Sequence, residues 1–87
     1  MSRDREKEQV RRELGLLLRE KREQLGYSRT EFANMVKVDK STIERMELGK
    51  TFPSVPTLFQ IYHFAGLSID ELFNKLRDSV DYLDTID

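Results

Sequence analysis

Residues 28–50, SRTEFANMVKVDKSTIERMELGK, predict two short helices joined by a tight turn. Ser28 and Glu31 have the spacing of a capping box, in which the serine oxygen accepts a backbone N–H and the glutamate accepts the serine's own N–H. Asp39 stands where a capping residue would begin the second helix. Two such short helices cannot bury a core between them, so the flanking segments must supply the rest of it.

The side chains of this pair divide into an inward and an outward set. The inward apolar positions are Phe32, Val36, Val38, Ile43 and Met46. Ala33 is small, which lets a second helix come close. On the second helix, the residues expected to face outward are Lys40, Ser41, Thr42, Glu44 and Arg45. A helix-turn-helix reads DNA by laying such a face in the major groove, so these residues are the ones that a partner would meet.

A long first helix is predicted over residues 3–25. Its apolar residues fall mostly on one stripe, which consists of Val10, Leu14, Leu17, Leu18 and Leu25. Gly26 is expected to end this helix as a left-handed C-cap.

Two further helices are predicted after the pair. Gly49 closes the second helix of the pair, and Ser54 caps the fourth helix, which ends at Gly66. The expected buried stripe of this fourth helix is Leu58, Ile61, Tyr62 and Ala65. Ser68 with Glu71 predicts a capping box for the fifth helix. The apolar stripe of this last helix is Ile69, Leu72, Phe73, Leu76, Val80 and Leu83.

Three segments carry a resemblance to a known family: LREKREQLGYSRTEFA, VDKSTIERMELGK and PSVPTLFQIYHFAGLSIDELF, which span residues 18–73. Together they resemble the Cro/repressor-type (XRE) helix-turn-helix family. The resemblance implies an all-α, five-helix lambda-repressor-like DNA-binding domain, here with extended first and last helices. The chain then forms a single domain over 1–87, made of an N-terminal helical extension (1–13), the helix-turn-helix (28–48) and a C-terminal helix with an acidic tail (69–87).

The resemblance also implies roles for individual residues. Arg22 and Glu47 match a largely buried structural ion pair of the family. Base contacts are expected from Lys40, Ser41, Thr42, Glu44 and Arg45, and phosphate contacts from Arg29, Lys37, Lys50 and Thr51. Arg45 is the strongest candidate for contacting a guanine, because its guanidinium group can donate hydrogen bonds to O6 and N7 of the same base. Glu44 could accept from a cytosine amine or pair internally with Lys40.

The chain departs from the family pattern at four positions. Arg29 replaces a glutamine that typically contacts phosphate, and Lys37 replaces a glycine that is frequent in the turn. We therefore expect Lys37 to take a strained left-handed conformation or the turn to differ slightly. Leu48 stands where a polar or basic residue is frequent, and Asp39 brings a negative charge near the phosphates.

Two segments remain open to alternative interpretations. Arg3, Arg5, Arg11 and Arg12 are either a basic arm on DNA phosphates or a solvated face balanced by acids, and the solvated face is favoured. The stripe of Leu72, Phe73, Leu76, Val80 and Leu83 either folds back on Val10 and Leu14 or meets its copy in a dimer. We favour some dimer contact, because members of the family commonly pair through this region.

Charge and composition narrow the function. The net charge of the 87 residues is −1, but residues 1–50 hold 13 Lys+Arg against 10 Asp+Glu, and the remainder holds 2 against 6. The basic half therefore contains the helix-turn-helix, as phosphate contact requires. Without cysteine, and with His63 the single histidine, no metal site is expected. No apolar run is long enough for a membrane span, and we expect a cytoplasmic protein.

These observations predict a sequence-specific DNA-binding transcriptional regulator, in its simplest form a homodimeric repressor on a pseudo-palindromic operator. The alternative is a helical protein-interaction module, antitoxin-like or a phage or host factor, whose main target is another protein. An enzyme is not expected, because the sequence has no cysteine, a single isolated histidine, no Gly-rich phosphate loop and no carboxylate pair set in a plausible pocket. No cofactor is expected either.

Overall fold

Five helices and no strand make up the part of the chain that the structure describes. The structure is a computed structural model that describes residues 2–80, with side chains from residue 4 onward. The helices are α1 Ser2–Gln24, α2 Arg29–Val36, α3 Lys40–Glu47, α4 Val55–Ala65 and α5 Ile69–Ser79. The five-helix, all-α architecture predicted from the sequence is confirmed.

In the central part of α1, the residues that face inward are those of the predicted apolar stripe. Leu14 and Leu18 are buried, while Val10 and Leu17 are half-buried. The prediction fails at Leu25, which is 40% exposed. The reason is local, because the helix has already ended at Gln24 and the turn that follows, residues 25–28, is exposed.

The end of α1 follows the predicted left-handed pattern. Gly26 takes a φ of +83°, and the Tyr27 N–H donates to the Arg22 carbonyl at 3.2 Å. A residue with a Cβ would be strained in that conformation, whereas glycine adopts it freely. The chain therefore reverses at once and leads directly into α2.

The predicted capping box begins α2. The Ser28 Oγ accepts the Glu31 N–H at 3.1 Å, and a Glu31 carboxylate oxygen accepts the Ser28 N–H at 2.8 Å. The hydrogen bond from the backbone of Ser28 lowers the pKa of Glu31 below its usual range, and the bond with the Ser28 side chain acts in the same direction.

We expect this carboxylate to make folding acid-sensitive. The pKa of Glu31 is lower in the folded chain than in the unfolded chain. Its contribution to stability is therefore complete above the ordinary glutamate pKa of about 4.3, and is lost as the pH falls through the folded-state pKa. Urea unfolding measured across this range should show a shallower loss of stability for Glu31→Gln than for the wild type. Glu20→Gln, at an exposed position of α1, should follow the wild-type profile.

The turn between α2 and α3 has the strained conformation that the sequence suggested. Lys37 has φ +61° and ψ +44°, and it is the only non-glycine residue with positive φ in the described part of the chain. The following N–H, that of Val38, donates to the Ala33 carbonyl at 3.0 Å. The turn is thus closed by backbone bonds that hold Lys37 in this conformation.

We expect Lys37→Gly to be about 1 kcal/mol more stable than Lys37→Ala, because only glycine adopts a left-handed conformation without cost. Both variants lose the lysine ammonium, which lies 5.1 Å from the centre of the Phe64 ring. Their difference in free energy of unfolding, from urea titration, therefore isolates the backbone term. Equal stabilities would show that the turn relaxes once the lysine is removed.

The start of α3 differs from the prediction. Asp39 occupies the N-cap position with extended backbone, but its side chain makes no capping hydrogen bond. Its carbonyl accepts from the N–H groups of Thr42 and Ile43, at 3.0 and 3.1 Å. At the other end Gly49 has φ +74°, as predicted for a residue that ends a helix.

The predicted cap and most of the predicted stripe are present in α4. The Ser54 Oγ accepts the Thr57 N–H at 3.2 Å, and Ile61 is completely buried. Tyr62, however, is 53% exposed, so its assignment to the buried stripe is wrong. The centre of the inward face runs through Thr57 and Ile61, and Tyr62 lies roughly 100° further round the helix.

The last helix is shorter than predicted. Its Ser68 Oγ accepts the Glu71 N–H at 3.2 Å, which is the first half of the expected capping box. The helix ends at Ser79, and Val80 is extended with φ −111° and ψ +150°. The predicted stripe therefore leaves the helix after Leu76, because Val80 lies beyond the helix end. Leu83 lies outside the described residues.

The core lies where α1 crosses α3 and α5, and where α2 packs against α3 and α4. Its buried apolar members are Leu14, Leu18, Phe32, Ala33, Val36, Ile43, Met46, Ile61, Leu67 and Leu72. Gly15 marks the crossing of α1 and α3, because a Cβ there would come within 2.3 Å of the Met46 carbonyl oxygen. The lack of a side chain thus lets the two helices touch, backbone to backbone.

Candidate nucleic-acid interface

The front of α3 is open to solvent. Lys40, Ser41 and Arg45 are exposed, and Thr42 and Glu44 are half-exposed. The five side chains predicted to contact bases therefore share one accessible face. The internal ion pair considered for Glu44 and Lys40 does not form in the described structure.

The back of α3 is fixed in the core. Ile43 is fully buried and Met46 nearly so. An eight-residue helix is marginal by itself, so this packing is what gives α3 a defined position.

The carboxylate of Glu47 anchors the last turn of α3 to α1. Arg22 Nε donates to one oxygen at 2.7 Å, and Arg22 Nη2 donates to the other at 3.0 Å. The side chains are only 8% and 2% exposed, respectively. These hydrogen bonds and the carboxylate charge raise the pKa of Arg22 further, although burial acts in the opposite direction. A third bond runs from Arg22 Nη1 to the Tyr27 carbonyl at 2.7 Å, so this arginine also fixes the turn before α2.

Arg29 joins the same carboxylate. Its Nε donates to Glu47 at 2.9 Å, and its side chain is 30% exposed. The sequence suggested only a phosphate contact for this residue, because the pairing spans 18 positions and leaves no local signal. Glu47 thus binds two guanidinium groups that come from two different helices.

A shallow cup lies beside these groups, where α1, α2 and α3 converge. Its lining consists of Arg19, Arg22, Ser28, Arg29, Thr30, Lys40 and Glu44. Four of these side chains are cationic and one is anionic. Such a surface attracts phosphate groups, and it lies directly beside the front of α3.

The loop after α3 is braced by the N-terminal part of α1. Arg11 Nε donates to the Gly49 carbonyl at 2.6 Å, and the Arg11 guanidinium lies 6.0 Å from the centre of the Phe52 ring. Lys50 and Thr51, which were predicted to contact phosphate, are exposed in this loop.

The arginines of the N-terminal extension therefore differ from one another. Arg11 has a structural contact that was not predicted, whereas Arg5 and Arg12 are exposed. Helical spacing places Arg11 on one face with Gly15 and Arg22, since they lie 4 and 7 positions apart, but it does not identify Gly49 as the partner. The side chain of Arg3 is outside the described part.

Lys37 lies on the side of α4 rather than on the front of α3. Its ammonium is over the Phe64 ring, and its carbonyl accepts from Gln60 Nε2 at 3.2 Å. These contacts weaken the prediction that it binds phosphate.

The apolar residues of α5, and Val80 directly after it, are divided between core and surface. Leu72 and Val80 are buried and Leu76 is half-buried, which places them against the rest of this chain. Phe73 remains exposed. A partly open apolar groove between α1, α4 and α5 is lined by Val10, Leu14, Phe52, Pro53, Leu58, Phe73, Leu76, Arg77 and Val80. Leu76 and Val80 thus follow the fold-back alternative, because they line this groove together with Val10 and Leu14.

His63 belongs to an exposed aromatic group on α4. It stacks on Phe59 with ring centres 5.7 Å apart, and it meets the Phe64 ring edge-on. Within residues 4–80, no three His, Cys, Asp or Glu side chains are grouped so that they could hold a metal ion.

A short helix with a polar, exposed front, a fixed back and flanking cations defines a helix-turn-helix DNA-binding domain. Comparison with protein families matches the helix-turn-helix family over residues 18–72. The chain therefore belongs to the Cro/C1-type (XRE) helix-turn-helix family. It is a DNA-binding transcription regulator, and the family is one of regulators rather than enzymes. Comparisons with curated proteins and with solved structures gave no match.

None of the described helices is both long enough and apolar enough to span a membrane.

Proposed function

We propose that this regulator is a dimeric, sequence-specific repressor that covers a promoter by binding a pseudo-palindromic operator. The supporting observation is the solvent-exposed front of α3 beside a cup lined by four cations. A helix whose back is buried can present that front in one orientation, which base reading requires. The cytoplasmic location stays a prediction.

In this proposal the contacts fall into two groups. Lys40, Ser41, Thr42, Glu44 and Arg45 read base edges. Arg29 and Lys50, with Thr51 and less strongly Lys37, position the backbone of the DNA on either side of α3. Arg22 and Glu47 hold α3 in place without touching DNA.

The proposed dimer uses the apolar groove rather than the whole predicted stripe. Leu72 and Val80 are already buried within the chain, so they offer no area to a partner. Phe73 and Phe52, both about half exposed, line the groove and would contribute most to a symmetric contact. Leu83 stays part of the predicted stripe, outside the described residues.

Selection of bound sequences from a random pool of duplex DNA tests binding and symmetry together. A dimer should enrich two inverted half-sites whose centres lie about one helical turn, or a multiple of it, apart. Enrichment of a single half-site would contradict the dimer, and a pool that stays random would contradict sequence-specific reading.

We expect Arg45→Ala to relax selectivity at one base pair, at a cost of about 1–3 kcal/mol in binding free energy. Lys75→Ala removes the same charge from an exposed position of α5 and serves as the control. Affinities are measured for the selected duplex and for duplexes changed at one base pair. At one position Arg45→Ala should bind the changed and the unchanged duplex about equally, whereas the control should still prefer the unchanged duplex at every position. An unchanged preference at every position would remove Arg45 from the reading residues.

A second candidate function is a module that binds another protein. The observation that favours it is the exposed aromatic side of α4, on which Phe59 is 59% exposed beside Tyr62. Mobility of random duplex DNA at low salt separates the two functions. The absence of any shift at high micromolar protein would favour the protein-binding function.

A further inference from the structure

We propose that Arg29 is a positioning residue that connects a DNA phosphate to Glu47, so that base selection by α3 depends on a side chain that touches no base. This inference rests on the proposed DNA-binding function. It goes beyond a phosphate contact, because it assigns Arg29 an effect on sequence selectivity.

The first step is that the Arg29 guanidinium uses only one of its three nitrogens within the protein. Its Nε donates to Glu47 at 2.9 Å, while its two terminal nitrogens have no hydrogen-bond partner among the described residues. Arginine presents its donors in a rigid fork, so the terminal pair can bind one phosphate while Nε keeps the carboxylate.

The second step is charge balance. The single carboxylate of Glu47 pairs with two guanidinium groups, those of Arg22 and Arg29. Around them, Arg19 and Lys40 add cations to the cup, and Glu44 adds one carboxylate. Arg19 is itself paired with Glu23 at 3.2 Å. A phosphate on the open side of Arg29 supplies an anion that this cluster lacks.

The third step links the phosphate to α3. Glu47 forms the last turn of α3, and Lys40 and Glu44, on the front of the same helix, line the cup. Arg29 lies at the first position of α2 and therefore spans from the cup to the far end of α3. Base reading tolerates only about 0.5 Å of displacement, so a bond that fixes this end of α3 affects which bases are read.

Two substitutions and one matched control test the inference in the full chain. Arg29→Gln removes both the charge and the fork. Arg29→Lys keeps the charge but lacks the rigid fork, so it cannot fix the carboxylate and the phosphate in one set geometry. Arg19→Gln removes a cation from the same cup without any bond to α3. Arg22 keeps its two bonds to Glu47 in all three variants, and thermal unfolding followed by circular dichroism checks that they fold.

The readouts are the salt slope of binding and the ratio of affinities for two probes: a duplex selected by the wild type and a random duplex of equal length. We expect Arg29→Gln to lower the ratio about tenfold and to reduce the slope by about 1. Arg29→Lys should retain the slope and still lose the selectivity. Arg19→Gln should leave the selectivity unchanged.

Three outcomes would overturn the inference and leave the proposed function intact. A reduced slope with unchanged selectivity in Arg29→Gln would make Arg29 an ordinary phosphate contact. Lower thermal stability with both binding readouts unchanged would make it purely structural, and full selectivity in Arg29→Lys would exclude the role of the fork. If the wild type itself does not distinguish the two duplexes, sequence-specific binding fails, and the inference fails with it.

Discussion

Glu47→Gln should destabilise the fold by about 3–5 kcal/mol, because it leaves buried charge without a counterion. The glutamine amide can accept at one oxygen, but its NH₂ group then faces a guanidinium donor. Arg22 is only 8% exposed and cannot turn to water without breaking its bond to the Tyr27 carbonyl. Since native proteins are stable by about 5–15 kcal/mol, this loss is a large fraction of the total, and urea titration should show a midpoint at much lower denaturant than for the wild type.

A suitable control is Glu23→Gln. Glu23 pairs with Arg19 at 3.2 Å, and both side chains are about half exposed. Exposed pairs of this spacing contribute about 0.3–0.5 kcal/mol, so this variant should unfold almost like the wild type. Similar losses for the two variants would mean that solvent reaches the Glu47 site and screens it.

Gly15→Ala should lower the free energy of unfolding by about 3 kcal/mol through overpacking, although alanine has the higher helix propensity. Alanine in a helix interior normally gains about 0.5–1 kcal/mol over glycine. Here the added methyl group would lie 2.3 Å from the Met46 carbonyl oxygen and 3.0 Å from that of Glu47. Both obstacles are backbone atoms, so α1 and α3 would have to move apart, and overpacking of this kind is costly.

Leu16→Ala is the matched control for this substitution. Leu16 is the next residue of α1 and is about half exposed, so its truncation should change the free energy of unfolding by less than about 0.5 kcal/mol. A stabilised Gly15→Ala protein would show that the two helices separate easily. The close crossing would then contribute little to the position of α3.

Local signals in the sequence predicted the helix ends well. The Ser28 capping box and the left-handed residues Gly26, Gly49 and Gly66 each depend on bonds within a few positions of the chain. Helical periodicity then identified most of the core, because it fixes which side chains share a face.

Prediction failed where distant segments decide the outcome. Tyr62 shares helical spacing with buried neighbours, but the side on which α2 packs determines that it stays exposed. The end of α5 at Ser79 has no glycine or proline to mark it. Asp39 has the right type for a cap, yet residue type alone does not fix a rotamer.

In the candidate site, too, the features set by local sequence were predicted and those set by contacts between distant segments were not. The exposed front of α3 follows from spacing within one short helix. The second arginine on Glu47 does not, because Arg29 and Glu47 meet only after α2 and α3 have packed. The bond from Arg11 to Gly49 spans 38 positions and depends on the crossing at Gly15.

That last bond has a consequence for the kinetics and thermodynamics of binding. A flexible loop that orders on association loses conformational entropy, which weakens affinity. The Gly49 carbonyl is already held by Arg11, so the segment carrying Lys50, which we propose contacts a phosphate, is preorganised before DNA arrives. The loss of freedom is incurred when the protein folds, and association with a charged duplex can proceed without waiting for a rearrangement of this loop.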